Sequence, residues 1–411
     1  MEVKTSVGHL FRHEYSKIVA FLTNKYSSYK IDLIEDAVQE ALLKAMKVWG
    51  YQNIPDNPSA WLYRVANNHL IDQLRRESRS VELNIPEDQW LDSSRADEKI
   101  PGDLGDEQLK MIFACCHPAL NASDQIMLSL KLLCGLSVKE IANALLKKED
   151  AVKKALARAK QKFKQEVGEL LVPEGIELRK RLSVVLRVIY LLFNEGYKTT
   201  GGEQLTRKDI CEDAIRLGAI LQRNRYCDTP ELNALLALMC FNAARLDARL
   251  GSGKELITLE NQDRSLWDAE YILWGIHFLS RASNGVNISE YHLEAAIASF
   301  YSTAKSFRET DWESILTLYD LLIKVNRSPI VALNRLVVLE KVKGAEAALK
   351  EIQKLEKEKS LRNSYLLYSI KADFQLSLNN RKDAKQLLKQ AIQLTGNIIE
   401  KKFLQKKLAG I

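Results

Sequence analysis

The chain has 411 residues, 46% hydrophobic and 27% charged, with a formal net charge of +7; that length exceeds one small core and suggests about two to four domains. Only 8 prolines and 18 glycines occur, which argues against a sandwich, long loops or disordered tails, and the abundance of Leu, Ala, Lys and Glu favours helix nearly throughout. No run approaches the roughly eighteen apolar residues of a membrane span, and no apolar segment follows Glu2 and Lys4 as in a signal peptide.

Cys115, Cys116, Cys134, Cys211, Cys227 and Cys240 form no CxxC pair. They read as reduced thiols, which points to the cytoplasm. The distribution of charge says more than its total. Residues 80–108 hold nine acids against two bases, whereas 147–164 hold eight bases against two acids. An acidic stretch followed by a basic helix suggests a linker and a nucleic-acid face.

In chain order, 8–24 carries Leu10, Phe11, Tyr15, Ile18, Val19 and Leu22 at close to helical spacing. The pattern returns over 32–48 with Leu33, Ile34, Ala37, Val38, Ala41, Leu42, Ala45 and Met46, where Asp32 suits an N-cap and Gly50 a stop. Asn57 and Pro58 open a third helix, to about 78, through Trp61, Leu62, Val65, Ala66, Leu70, Ile71 and Leu74. Residues 80–106, with Pro86, Pro101, Gly102 and Gly105 among the acids, read as a linker.

The sharpest local signal follows. Gly135 stops a helix, and Ser137 with Glu140 forms a capping box. Ile141, Ala142 and Leu145 face inward on one helix, and Val152, Leu156 and Ala159 on the next, after a turn at 147–150. Small Ala142 suits the close crossing of a helix-turn-helix. The outward face of the second helix presents Lys153, Lys154, Ala157, Arg158 and Gln161, with Lys160, Lys162 and Lys164 continuing the charge. Such a helix can enter a major groove while its flanks neutralise phosphates. A lysine-rich solvated helix is the bland alternative.

Beyond Pro173 the chain reads as helical, with breaks near 198–204, 226–230, 251–253, 284–289 and 327–329. Ala345, Leu349 and Ile352 recur as Ala384, Leu388 and Ala391, each 39 residues on, and Tyr368 and Ala372 precede the second set. The period is longer than that of tetratricopeptide (TPR) repeats, so the hairpins are TPR-like.

Asp36-Ala-Val-Gln-Glu40, Asn57-Pro-Ser-Ala-Trp-Leu-Tyr-Arg-Val-Ala-Asn-Asn68 and Asp72-Gln-Leu-Arg-Arg76 resemble region 2 of extracytoplasmic function (ECF) sigma factors. Gly135–Ala142 and Val152–Lys160 resemble region 4. Tyr190–Tyr197, Leu259–Trp267 and Ser328–Arg335 resemble the long ECF group with a helical, TPR-like extension.

The resemblance implies an all-α alternative sigma factor that binds core RNA polymerase, recognises −10 and −35 promoter elements and helps open DNA. Region 2 would span 1–79 and the linker 80–106. Region 4 would span 107–168, a helical domain of unknown role 175–310, and TPR-like hairpins 311–411. Asp36, Gln39 and Glu40 would dock on the clamp helices of the polymerase β′ subunit, with Lys44 and Lys47 also outward, and region 4 would meet the β flap. Asn68 would contact a base edge of the −10 strand, with Arg64, Asn67, His69, Arg75 and Arg76 along its path. Trp61 suits core packing better than stacking, and Asp72 a cap or ion pair. Lys153, Lys154 and Arg158 would read the −35 element. Ala155, where the family often has Arg, removes one contact, and Leu146, where Gly is common, suggests a looser turn.

The extension would regulate the sigma module, with a protein or peptide as its ligand. Neither catalysis nor a cofactor is expected. Cys115-Cys116-His117 lacks a fourth metal ligand, and Glu195, Glu260, Asp263 and Arg264 suit helix-end hydrogen bonding better than catalysis. Two rival readings are a helix-turn-helix activator that does not replace sigma, and a TPR scaffold without DNA affinity.

Overall fold

A computed structural model describes residues 2–49, 54–80, 104–145, 147–198, 206–251, 255–356, 358, 361–362 and 364–411. The described residues form helices and connecting turns, apart from an isolated antiparallel bridge between Leu250 and Leu256. None of these helices is long and apolar enough to cross a membrane. The expected linker core (81–103), Gly50 and Leu146 lie outside the described residues. Two units divide the chain: residues 1–142 with 147–188, and 143–146 with 189–411.

The first unit contains α1 (Glu2–Tyr26), α2 (Ile31–Val48), α3 (Pro58–Ser80), α4 (Leu104–Cys115) and α5 (Ala122–Leu128), which continues as a π-helical turn over Ser129–Leu133. Then come α6 (Val138–Ala144), α7 (Glu149–Glu166) and α8 (Gly175–Tyr197), whose residues from Ile189 onward count with the second unit. Val19 and Leu22 of α1 meet Ile34, Val38 and Ala41 of α2 and Leu62, Ala66 and Leu70 of α3 in the core, all fully buried. The inward positions thus recur at helical spacing, as the sequence predicts. Two expectations on α2 fail. Met46 is exposed, and Asp32 is no N-cap, because Ile31 opens the helix and Asp32 sits inside its first turn.

The π-helical turn ends in a left-handed cap: Leu136 N–H donates to the Leu130 carbonyl at 3.0 Å across Gly135, whose φ is +63°. A Cβ there would also stand 3.1 Å from Cδ1 of Tyr15, so glycine answers both the backbone and the packing.

In the second unit, α9 (Lys208–Arg223), α11 (Ala269–Ala282) and α12 (Glu290–Thr303) surround α10 (Pro230–Ala243). Leu232 to Phe241 of α10 are all buried, as an all-round apolar helix requires. Gly275 of α11 lets that helix close on Phe241, where an added Cβ would lie 2.7 Å from the ring. Between α10 and α11 the described residues of 244–268 form three short 3-10 turns (Asp247–Arg249, Leu259–Asn261 and Arg264–Leu266) and the Leu250–Leu256 bridge, a connection far longer than the break expected at 251–253.

Then follow α13 (Trp312–Val325), α14 (Pro329–Lys343), α15 (Ala345–Leu355), α16 (Tyr365–Ser377), α17 (Arg381–Leu394) and α18 (Ile398–Ala409), each packed on its chain neighbour. The echo at 39 residues falls on α15 and α17. Ala345 and Ile352, and Ala384, Leu388 and Ala391, are buried, while Leu349 is half-buried.

Candidate nucleic-acid interface

α3 begins where its sequence dictates. Asn57 Oδ1 accepts the Ala60 N–H at 3.0 Å, and Pro58 occupies the first helical position. With Leu62, Ala66 and Leu70 turned inward, Arg64, Asn68, Arg75 and Arg76 are exposed and His69 half-buried. Asn67 is a correction. Its side chain is 7% exposed and its Oδ1 accepts the Tyr26 hydroxyl at 2.9 Å, so packing with α1 occupies it. Trp61 is half-buried with its ring 5.3 Å from that of Trp49, in keeping with core packing. Asp72 is exposed and, among the described residues, neither caps a helix nor joins an ion pair, contrary to expectation.

The helix-turn-helix is built on the expected capping box. Ser137 N–H donates to Glu140 Oε2 at 2.8 Å, and Glu140 N–H to Ser137 Oγ at 3.2 Å. Ile141 and Ala142, then Val152, Leu156, Ala159 and Phe163, fill its interior. Leu145 is half-buried in the turn, and α7 starts two residues before the predicted turn ends. Lys153, Lys154, Ala157, Arg158 and Gln161 are exposed along α7, as their spacing predicts.

Lys160 and Lys164 behave differently. Both bend back onto α2: Lys160 Nζ lies 3.1 Å from Asp32 Oδ1 and also pairs with Glu35, while Lys164 pairs with Asp32. Glu35 is buried and additionally accepts the Tyr15 hydroxyl at 2.8 Å, with Lys131 Nζ at 3.5 Å. Burial works against ionisation of Asp32, yet the hydrogen bonds and charges of Lys164 and Lys160 prevail and hold its carboxyl below the usual range. Burial likewise opposes the Lys160 charge, and Glu35 and Asp32 overcome it, so that its ammonium holds its proton above the usual lysine range. Ser28 Oγ fastens the same corner by donating to the Val167 and Gly168 carbonyls.

These contacts leave a cleft of about 670 Å³ with Asp36 and Gln39 on one wall and Lys153, Ala157 and Gln161 on the other. Asp36, Gln39 and Glu40, with Lys44 and Lys47, are exposed on α2.

Comparison with known proteins bears on this geometry. Residues 10–80, which hold α3 and all of α2, match Sigma-70 region 2. Residues 110–163, with the helix-turn-helix, match Sigma-70 region 4. Residues 181–283 match a family of unknown function, DUF6596. The chain belongs to the extracytoplasmic function sigma factors that carry a C-terminal extension. An uncharacterized protein of Rhizobium meliloti (strain 1021), R00370, is 34% identical over 384 residues, covering 92% of this chain and 90% of its own. No solved structure matches.

This sigma factor therefore binds RNA polymerase and recognises promoters. Sequence reasoning missed its internal charge cluster, although Asp32 and Glu35 at i,i+3 and Lys160 and Lys164 at i,i+4 each share a helix face. Cys115 and Cys116 are buried, burial pushes the Cys116 thiol up to about 12, and Cys134 is a core residue. Asp263 caps the turn at Ser265, and Arg264 donates to main-chain carbonyls.

Proposed function

We propose that Asp36, Gln39 and Glu40 of the sigma factor dock on the β′ clamp helices. Arg64, Asn68, His69, Arg75 and Arg76 then take the −10 strand, and Lys153, Lys154 and Arg158 read the −35 element while region 4 meets the β flap. The observation that carries this reading is the exposure of Asp36, Gln39 and Glu40, of Arg64, Asn68, Arg75 and Arg76, and of Lys153, Lys154 and Arg158 on helices whose opposite faces are buried. A carboxylate pair on α2 suits a basic partner surface, and a charged contact of this kind is worth about 1–3 kcal/mol. Arg158 on the outward face suits a bidentate base contact, and Lys154 a phosphate. The extension, residues 175–411, acts as a regulatory part whose TPR-like hairpins suit a peptide or helix ligand.

Run-off transcription with core polymerase tests the assignment. Asp36→Lys with Glu40→Lys should abolish co-purification with core enzyme and transcription while leaving helical content unchanged. Normal binding by that double variant would remove α2 as the docking element. Arg158→Ala should weaken −35 recognition by about 1–3 kcal/mol, and unchanged promoter choice would sink that role.

A further inference from the structure

The second unit has a partly open cavity of about 510 Å³ among α8, α10, α12, α13 and the first two turns of α14. Two motifs of the extension meet in its wall: Tyr190 and Tyr197 from one, and Ser328, Val331 and Asn334 from another. The third supports it from behind. Arg264 donates to the carbonyls of Tyr301 (3.0 Å) and Ala304 (2.7 Å), fixing the end of α12 that turns Tyr301 to the cavity.

The wall presents polar groups that the fold itself does not use up. Arg245 donates to the Tyr197 hydroxyl at 2.7 Å and approaches Asn242 Oδ1 at 3.5 Å, and among the described residues no carboxylate pairs with it. Tyr301 and Tyr319 line the cavity, and neither hydroxyl has a hydrogen-bond partner among the described residues. Leu238, Ile297 and Leu322 add apolar surface, and Asn242, Asn326 and Asn334 further polar groups. Glu294 also lines the cavity and accepts the Tyr190 hydroxyl at 2.9 Å. Burial pushes its carboxyl up to about 7, with Glu290 adding to the rise, so at neutral pH it carries only part of a negative charge. A partly buried guanidinium without a counter-charge is costly, and the start of α14 adds positive potential.

We propose that this cavity binds a small organic carboxylate, its acid group held by Arg245 and its hydroxyl groups by Tyr301 and Tyr319. The volume lies within the range of about 300–1,000 Å³ common for small-molecule sites. A lone guanidinium balances a monoanion; a phosphate dianion would bring a second charge that nothing in the wall neutralises. The proposal does not depend on the roles given to α2, α3 and α7, because its readout is binding, not transcription.

Titration calorimetry on the full chain tests it with salicylate, shikimate and gluconate as probes, and with salicylamide, methyl shikimate and glucose as their respective uncharged counterparts. At least one acid should bind with one-to-one stoichiometry, and its uncharged counterpart about tenfold more weakly or worse. Arg245→Gln should lower the affinity about ten- to hundredfold, the loss expected for a charged hydrogen bond. Tyr319→Phe removes one hydroxyl without removing the ring, and should weaken a hydroxylated acid several-fold. This second variant serves as the test if Arg245→Gln does not fold. Failure of all three acids to bind overturns the proposal, as does a binder whose affinity survives both substitutions.

Discussion

Asn67 accepts the Tyr26 hydroxyl from within the packing of region 2, while Asn68, one residue on, is exposed. Neighbours on a helix point about 100° apart, so the same amide serves the interior at one position and is available to a strand at the next. Asn67→Ala should cost about 1 kcal/mol by removing this one hydrogen bond, a fall of a few degrees in melting temperature. Asn68→Ala should leave the melting temperature unchanged and weaken binding of a single-stranded −10 oligonucleotide. Weakened oligonucleotide binding by Asn67→Ala without loss of stability would reverse the two assignments. From sequence both amides belong to the DNA set, because the motif specifies residue types without saying which one a tyrosine 41 positions earlier will engage. The capping pair Ser137 and Glu140 was legible because both partners lie within one turn.

At the scale of elements, α7 carries two kinds of lysine. Lys154 is exposed, whereas Lys160 is half-buried against Asp32 and Glu35. Losing Lys160 leaves Glu35 with Lys131 and the Tyr15 hydroxyl, and Asp32 with Lys164, so the cost falls below the roughly 3–5 kcal/mol of a fully stranded buried charge to about 2–3 kcal/mol, against about 0.5 kcal/mol at an open surface site. Amide hydrogen exchange in α2 and α7 separates the cases. Lys160→Ala should speed exchange there about a hundredfold, and Lys154→Ala should not. Equal exchange in the two variants would mean that the pairing adds nothing to the first unit. The helices themselves were legible because apolar spacing and caps are local properties. The connection between α10 and α11 was not. Arg245, Arg249 and Arg264 anchor it by hydrogen bonds to Tyr197 and to the Tyr301 and Ala304 carbonyls, contacts that no local pattern reports.

For the whole molecule, the eight bases of residues 147–164 overstate what is available to DNA, because Lys160 and Lys164 are matched inside the chain by Asp32 and Glu35. The strongly positive 147–164 segment is plain in the sequence, yet its partner Asp32 lies 132 positions from Lys164 and becomes apparent only when the helices are folded. This separation bears on counterion release. Each phosphate neutralised by a protein base on duplex DNA frees about 0.9 of a condensed cation, which sets the slope of log affinity against log salt. Lys154→Gln should reduce the magnitude of that slope by about 0.9. Lys164→Gln should leave it unchanged while Asp32 holds Lys164, since the displaced ion is then already a side chain. Equal changes in slope for the two variants would show that Lys164 leaves Asp32 when DNA binds. A salt titration of binding to a duplex promoter can therefore report the position of a single ammonium group within the bound protein.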